Sequence, residues 1–323
     1  MAHSDGGQPP TQPASTRPAI AFGHVGLEPR RGPLRRRHRL FDGVSFTVAA
    51  GEAVGVLLPP GAGKTSLARL ATGHCAPSFG SISVLGLNPG TAQRELTGRV
   101  GTIVNEHSQL WLDDLLGDSL TRLCRFYDVP DHRARELSER LELSRVLKTP
   151  VEDLTPAQRR RAELVAALLP EPEVLILDEP MRGMDAPSKE RLRSVLRQEN
   201  RMHGRALLLV TSDLADIESL CPRLLVGVEG RIGFDGNVSA LNELLGTERV
   251  LVVDLLRPVA PLDDLPGADL IAVEAGGLRQ RLGLVPGQVK ISKVLADVVS
   301  RAPVRSLTLE EPDVTELVRR LAV

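Results

Sequence analysis

Residues 53–72 read AVGVLLPPGAGKTSLARLAT. The apolar run 53–58 suits a buried strand, prolines and glycines interrupt it, and residues 64–72 resume with a helical pattern. A strand, a tight turn and a helix in succession aim several backbone N–H groups at one point. The helix dipole adds positive potential there, so the turn suits an anion. Gly61 and Gly63 permit the backbone angles and close approach that a phosphate requires. Lys64 is placed to reach the β- and γ-phosphates, and the Thr65 hydroxyl to ligate magnesium. The loop departs from G-x-x-x-x-G-K-[ST] at its first glycine, which is Leu58 here. Pro59 and Pro60 follow, and neither has an N–H to donate.

A second stretch gives the loop its partner. Residues 174–180, VLILDEP, form a hydrophobic strand that ends in two carboxylates. At the carboxyl end of a strand Asp178 and Glu179 face the nucleotide crevice. Asp178 is expected to hold magnesium through water, and Glu179 to orient or deprotonate an attacking water. The acidic pair alone is weak evidence, since solvated strand ends are common, whereas the loop gains weight from its strand–turn–helix context. Together they point to a nucleoside triphosphate bound with Mg2+. The interval from Lys64 to Asp178 has room for a whole helical subdomain. No Asn-Lys-x-Asp motif is present, which argues against a GTPase, and no long coiled coil, which argues against the chromosome-maintenance ATPases.

Composition sets the outer bounds. The 323 residues suggest roughly two domains. A formal net charge of −1 gives no electrostatic footprint for nucleic acid, and none is expected as a partner. Basic residues are nearly all arginine, with Lys64, Lys148, Lys189, Lys290 and Lys293 the only lysines. Cys75, Cys124 and Cys221 lie far apart, without a CxxC pair, and read as reduced, partly buried thiols of a cytosolic protein. Residues 1–17 are polar and rich in proline and glycine, the composition of a disordered tail. No stretch approaches the ~18 apolar residues of a membrane span.

Ordered sequence is expected from about Pro18, with AIAFGHVGL as a strand. The basic stretch Arg30-Arg31 and Arg35-Arg36-Arg37-His38-Arg39 reads as a solvated loop, a phosphate- or lipid-facing patch being the alternative. Residues 44–49 alternate like a strand. Residues 109–161 are mainly helical, clearest in LLGDSLTRLCRFYDV and DHRARELSERLEL. Apolar strands return at 174–177 and 206–211. The alternation predicts an α/β fold with a mostly parallel sheet and a helical insertion. From about residue 248 short strand-like pieces (VLVVDLL, LIAVEA, LRQRLGLV) precede a helix near 290–300. The strand-like SLTLEE and a helix from about Val314 end a small α+β appendage.

With these segments in order, the chain resembles an ATP-binding subunit of an ABC transporter, a P-loop NTPase of ABC type. The resemblance runs from about residue 18 to the end. It is strongest to exporters whose ATPase and permease are separate chains and whose ATPase carries a C-terminal extension. It rests on FDGVSFTVAAGEAVGVLLPPGAGKTSLARLATG, HSQLWLDDLLGDSL, LTPAQRRRAELVAALLPEPEVLILDEPMRGMD, DIESLCPRLLVGVEGRIGFDG and SLTLEEPDVTELVRRL. It implies a nucleotide-binding domain over 18–247, with its helical subdomain at about 109–161, and an extension over 248–323. It also implies ATP and Mg2+ as cofactors, a membrane permease and a second ATP-binding subunit as partners, and a cytoplasmic position at the inner face of the cell membrane.

The resemblance assigns Pro60, Gly61, Ala62, Gly63, Lys64, Thr65 and Ser66 to the phosphate cradle. Several other family elements are edited. The signature Leu-Ser-Gly-Gly-Gln, which closes on the partner's nucleotide, stands as Leu154-Thr155-Pro156-Ala157-Gln158. Thr155 keeps a hydroxyl and Gln158 is retained, but Pro156 has no amide; equally, proline suits a helix start. The glutamine loop has Glu106 in place of glutamine, a residue able to coordinate magnesium, and Gln109 is the alternative occupant. The switch histidine aligns with Ser212; His203 reads as part of a surface turn. The D-loop aspartate is Asp185, and Phe41 is the one candidate to stack on adenine. These edits imply ATP binding with slow hydrolysis by Glu179. The alternative is a degenerate regulatory partner in a heterodimer with an intact ATPase.

Overall fold

A computed structural model describes residues 17–28, 39–104, 108–245, 249–284 and 291–310, with Val318 and Leu321. The tail before residue 17, the arginines at 30–37, Glu106 and most of the helix expected from Val314 lie outside the described residues.

The chain opens with β1 (Ile20–Leu27), β2 (Phe41–Val48) and β3 (Ala53–Leu57), followed by α1 (Lys64–Ala71). Next come β4 (Phe79–Val84), α2 (Gln93–Leu96) and β5 (Val100–Ile103). Three longer helices follow: α3 (Leu116–Tyr127), α4 (Asp131–Arg140) and α5 (Pro156–Leu168). The chain then returns through β6 (Val174–Asp178), α6 (Ala186–His203), β7 (Ala206–Thr211) and α7 (Leu214–Leu220). A hairpin, β8 (Arg223–Val228) and β9 (Arg231–Gly236), leads into α8 (Val238–Leu245). The last described portion is β10 (Arg249–Leu255), β11 (Ala268–Glu274), β12 (Arg279–Leu284), α9 (Ile291–Arg301) and β13 (Val304–Glu310).

Six strands form the central sheet in the order β5-β6-β7-β3-β8-β9, parallel except for the edge strand β9. Strands β3, β6 and β7 are buried at every residue, as a parallel sheet covered on both faces requires. Alternation splits their side chains between two cores. Val54, Val56, Ile176, Leu208 and Val210 meet α1 and an antiparallel sheet of order β2-β1-β4. Leu57, Leu175, Leu177, Leu207 and Leu209 meet the helices α3, α4, α5, α6 and α7. The central sheet is thus the middle of three layers.

The expected parallel sheet with a helical insertion is present, and the antiparallel sheet was not foreseen. Strand β2 begins at Phe41, earlier than residue 44, because Phe41 pairs with Leu27. The insertion's last helix, α5, runs on to Leu168 because residues 162 and 164–168 are all buried against the sheet. The carboxy-terminal strands form a third sheet, order β11-β12-β10-β13, all antiparallel. Leu251, Val253, Leu282, Val294 and Val298 give it and α9 a core of their own. All three cysteines are free, with Cys124 and Cys221 buried, and burial pushes the Cys221 thiol well above the ordinary range. Among the described residues no helix is long and apolar enough to cross a membrane.

Candidate nucleotide site

The site forms where β3, β6 and β7 end. Gly63, at φ 94°, is the N-cap of α1, a left-handed conformation that costs glycine little. A Cβ there would come within 2.8 Å of Leu40 and 2.9 Å of the Phe41 ring, so the loop lies flat on those side chains. Phe41 is 2 % exposed. It forms the floor beneath the loop and has no free face to offer an adenine, which corrects the stacking role expected for it. Leu58 takes the first glycine's place because it fills a different need. Its side chain occupies the space that a Cβ on Gly227 would claim, and its N–H donates to Thr211 O (3.1 Å).

Lys64 Nζ donates to Leu58 O (3.2 Å) and lies 3.5 Å from Glu179 Oε1. Thr65 Oγ1 donates to Asp178 Oδ2 (2.8 Å). Asp178 is fully buried at the last position of β6. A buried carboxylate beside a hydroxyl is a set of hard oxygen donors, the chemistry that Mg2+ accepts. The residues present therefore fit the metal.

Glu179 is 5 % exposed and sits at φ 47°, a conformation uncommon for a residue with a Cβ. Parallel pairing of Asp178 with Val210 brings Thr211 and Ser212 alongside it. Ser212 donates to Glu179 Oε1 through both N (3.1 Å) and Oγ (2.8 Å), and Thr211 Oγ1 donates to Oε2 (3.1 Å). Both carboxylate oxygens are held. Thr211 went unnoticed as a site residue, since only strand register reveals the contact.

These groups line an open cleft of about 720 Å3, whose walls include Lys64, Thr65, Ser66, Glu179, Arg182 and Ser212. Pro60, Gly61 and Gly63 also line it, whereas Ala62 borders an adjoining apolar cavity of about 310 Å3. Arg182 was not foreseen; three residues past Glu179, it donates its N–H to Glu179 O (3.2 Å) in a tight turn. On the far rim Lys189 Nζ donates to Asp213 Oδ2 (2.6 Å). Burial opposes ionisation of Asp213, but this bond and the Lys189 charge hold its carboxyl below the ordinary range.

Other expected residues stand elsewhere. Thr155 and Gln158 bond each other in a reciprocal N-cap of α5, with Pro156 as first helical residue. The hydroxyl is therefore engaged locally and does not reach the Lys64 cleft. Asp185 caps α6 through Ser188 N (3.1 Å), and its bonds to Ser188 hold the carboxyl low. Gln109 lines a separate cleft, accepting from Tyr127 Oη (3.0 Å). It does not join the phosphate loop. His203 is exposed in the last turn of α6, a helical position and not the surface turn expected.

Comparison with known proteins agrees with this geometry. Residues 41–182 match the family described as ABC transporter. A Nod factor export ATP-binding protein I from Burkholderia pseudomallei (strain 1710b) is 34 % identical over 246 residues, covering 71 % of this chain and 79 % of that protein. Its namesake from Neorhizobium galegae is 34 % identical over 221 residues, covering 65 % of this chain. Only 62 % of that relative's length, less than two thirds, is spanned. A solved ATP-binding subunit of an ABC transporter superposes with a TM-score of 0.61 at 22 % identity, over 71 % of this chain and 93 % of its own. A dimeric bacterial ABC transporter cassette also superposes at 0.61, with 19 % identity, over 68 % and 98 % respectively. At such identities the structural likeness establishes the fold.

Proposed function

Because the chain belongs to the ABC transporter family as an ATP-binding subunit, we propose that it is the ATPase of an exporter whose permease is a separate chain. Export is taken from the relatives named for Nod factor export. The observation that carries the reading is the gathering of four residues from two distant segments: Thr65 bonded to Asp178, and Lys64 beside Glu179. We assign residues 18–247 to nucleotide binding, with a helical part at 109–161, and residues 248–323 to an extension for dimerisation or regulation. The chain acts in the cytoplasm at the inner face of the membrane, paired with a second ATP-binding subunit. The exposed Trp111, Leu112 and Phe126, which follow Gln109 in sequence, offer apolar surface for the permease.

In this reading Lys64 exchanges its contacts with Glu179 and Leu58 O for the β- and γ-phosphates. Thr65 and Asp178 hold Mg2+, which when bound neutralises charge on the phosphate oxygens. Glu179 orients the attacking water and accepts its proton as the new oxygen–phosphorus bond forms and the bond from the γ-phosphorus to the β,γ-bridging oxygen breaks, with ADP as leaving group. Thr211 and Ser212 keep that carboxylate in place. Pro156 removes an amide that a signature segment gives to its partner's γ-phosphate. Losing one such donor costs about 2.7–4 kcal/mol, or a hundred- to thousandfold in rate. Hydrolysis by a homodimer is accordingly slow.

Turnover by the purified chain tests the proposal. Lys64→Ala is expected to abolish ATP binding, and Glu179→Gln to abolish turnover while ATP still binds. An unaltered rate in Glu179→Gln overturns the assignment. A second reading, a regulatory partner that binds ATP beside an intact ATPase, is favoured by the Thr155–Gln158 cap and by Pro156. Under that reading Glu179→Gln leaves the rate of the assembled complex unchanged.

A further inference from the structure

Among the described residues three cations line the cleft, and two are committed. Lys64 is held by Leu58 O and Glu179, and Lys189 by Asp213 (2.6 Å) and Asp216 (3.7 Å). Arg182, the third, is exposed, and among the described residues its guanidinium makes no hydrogen bond or ion pair. The turn closed by its N–H on Glu179 O brings it to the cleft wall shared by Lys64, Thr65 and Ser66. Gly183 follows at φ 76°, and nothing lies within 4 Å of where its Cβ would be.

Charge makes the vacancy of partners informative. Glu179, Asp213 and Asp216 face the same cleft, with Asp178 buried behind them. A triphosphate brings further negative charge into this group. Where a histidine is expected, Ser212 offers no positive charge, and its hydroxyl is spent on Glu179. An arginine presents a planar fork of donors suited to phosphate oxygens and keeps its charge at every relevant pH.

We propose that Arg182 is a catalytic residue that contacts the γ-phosphate of the nucleotide held by its own phosphate loop, supplying the cation that Ser212 does not. The role rests on the nucleotide site proposed above. It makes the chain discriminate ATP from ADP through a residue outside the phosphate loop.

The test compares MgATP and MgADP binding by calorimetry, in the full chain and in Arg182→Ala and Arg182→Lys. Arg182→Ala is expected to weaken ATP about ten- to hundredfold, as loss of a charged hydrogen bond does, while ADP stays within about twofold. Arg182→Lys recovers part of the loss, because charge returns without the fork. In parallel, Arg182→Ala lowers kcat for hydrolysis. An equal loss for ATP and ADP, or none for either, overturns the role of Arg182. A wild-type chain that binds neither nucleotide overturns the nucleotide site itself.

Discussion

Glu179 is the residue to which the proposed mechanism assigns the attacking water, and its carboxylate is held by donors at the end of β7. Two of the three hydrogen bonds to its carboxylate come from Ser212, one of them through the side chain. Ser212→Ala removes that one and leaves the backbone donor. A hydrogen bond to a charged group contributes about 1.5–3 kcal/mol, so kcat should fall about tenfold or more with KM little changed. Ser212→His should give the pH–rate profile a limb near the ordinary histidine value of ~6.5, which the serine enzyme lacks. Steady-state ATPase assays across pH check both; a Ser212→Ala rate equal to wild type excludes the clamp. The phosphate loop and the acidic pair were legible in sequence because each is local. Ser212 was marked by its alignment with the switch histidine, whereas Thr211 and Arg182 join the site through strand register and turn geometry, which leave no mark in the linear pattern.

Between elements, the tie that most rewards testing is Glu199 on α6. It accepts from Arg205 Nε (2.8 Å), which precedes β7, and from Arg140 Nη2 (2.8 Å) at the end of α4. Arg205 also donates to Pro172 O. Burial works against the Glu199 charge, but the two arginines outweigh it and hold the carboxyl below its ordinary 4.5. A lowered folded-state value means that the carboxylate stabilises fully above about pH 4.5 and loses that contribution as pH falls through the lowered value. Glu199→Gln should cost about 2–4 kcal/mol at pH 7, somewhat under a fully buried pair since Arg140 is partly exposed. The gap from wild type should narrow in acid. Denaturant titrations at pH 7 and pH 4 measure it, and a gap that widens in acid refutes the assignment. The helices α3 and α4 were readable from their spacing of apolar residues. The sheet β2-β1-β4 was not, because its strands come from either side of the phosphate loop and pair only over long range.

For the molecule as a whole, the parallel sheet and the α+β ending were visible as alternating patterns, and the layering was not. Two cores flank the central sheet, and a third belongs to β10–β13 and α9. A ligand at the cleft should therefore stabilise the first two together and not the third. At a hundredfold excess over Kd, MgATP adds about 2.7 kcal/mol, raising the main melting transition by roughly 5–10 °C. Differential scanning calorimetry should show that shift in wild type and lose it in Lys64→Ala. A uniform shift of every transition contradicts the separation of cores.

The backbone of Glu179, at φ 47°, places a side chain where glycine or asparagine rests more easily. Such a conformation costs about 1–3 kcal/mol. Any descendant freed from the need to hydrolyse would gain stability by exchanging the glutamate for a residue at ease there. Drift thus runs downhill, away from the carboxylate. A glutamate at this position is a net cost to the fold, as expected of a side chain placed for chemistry and not for stability.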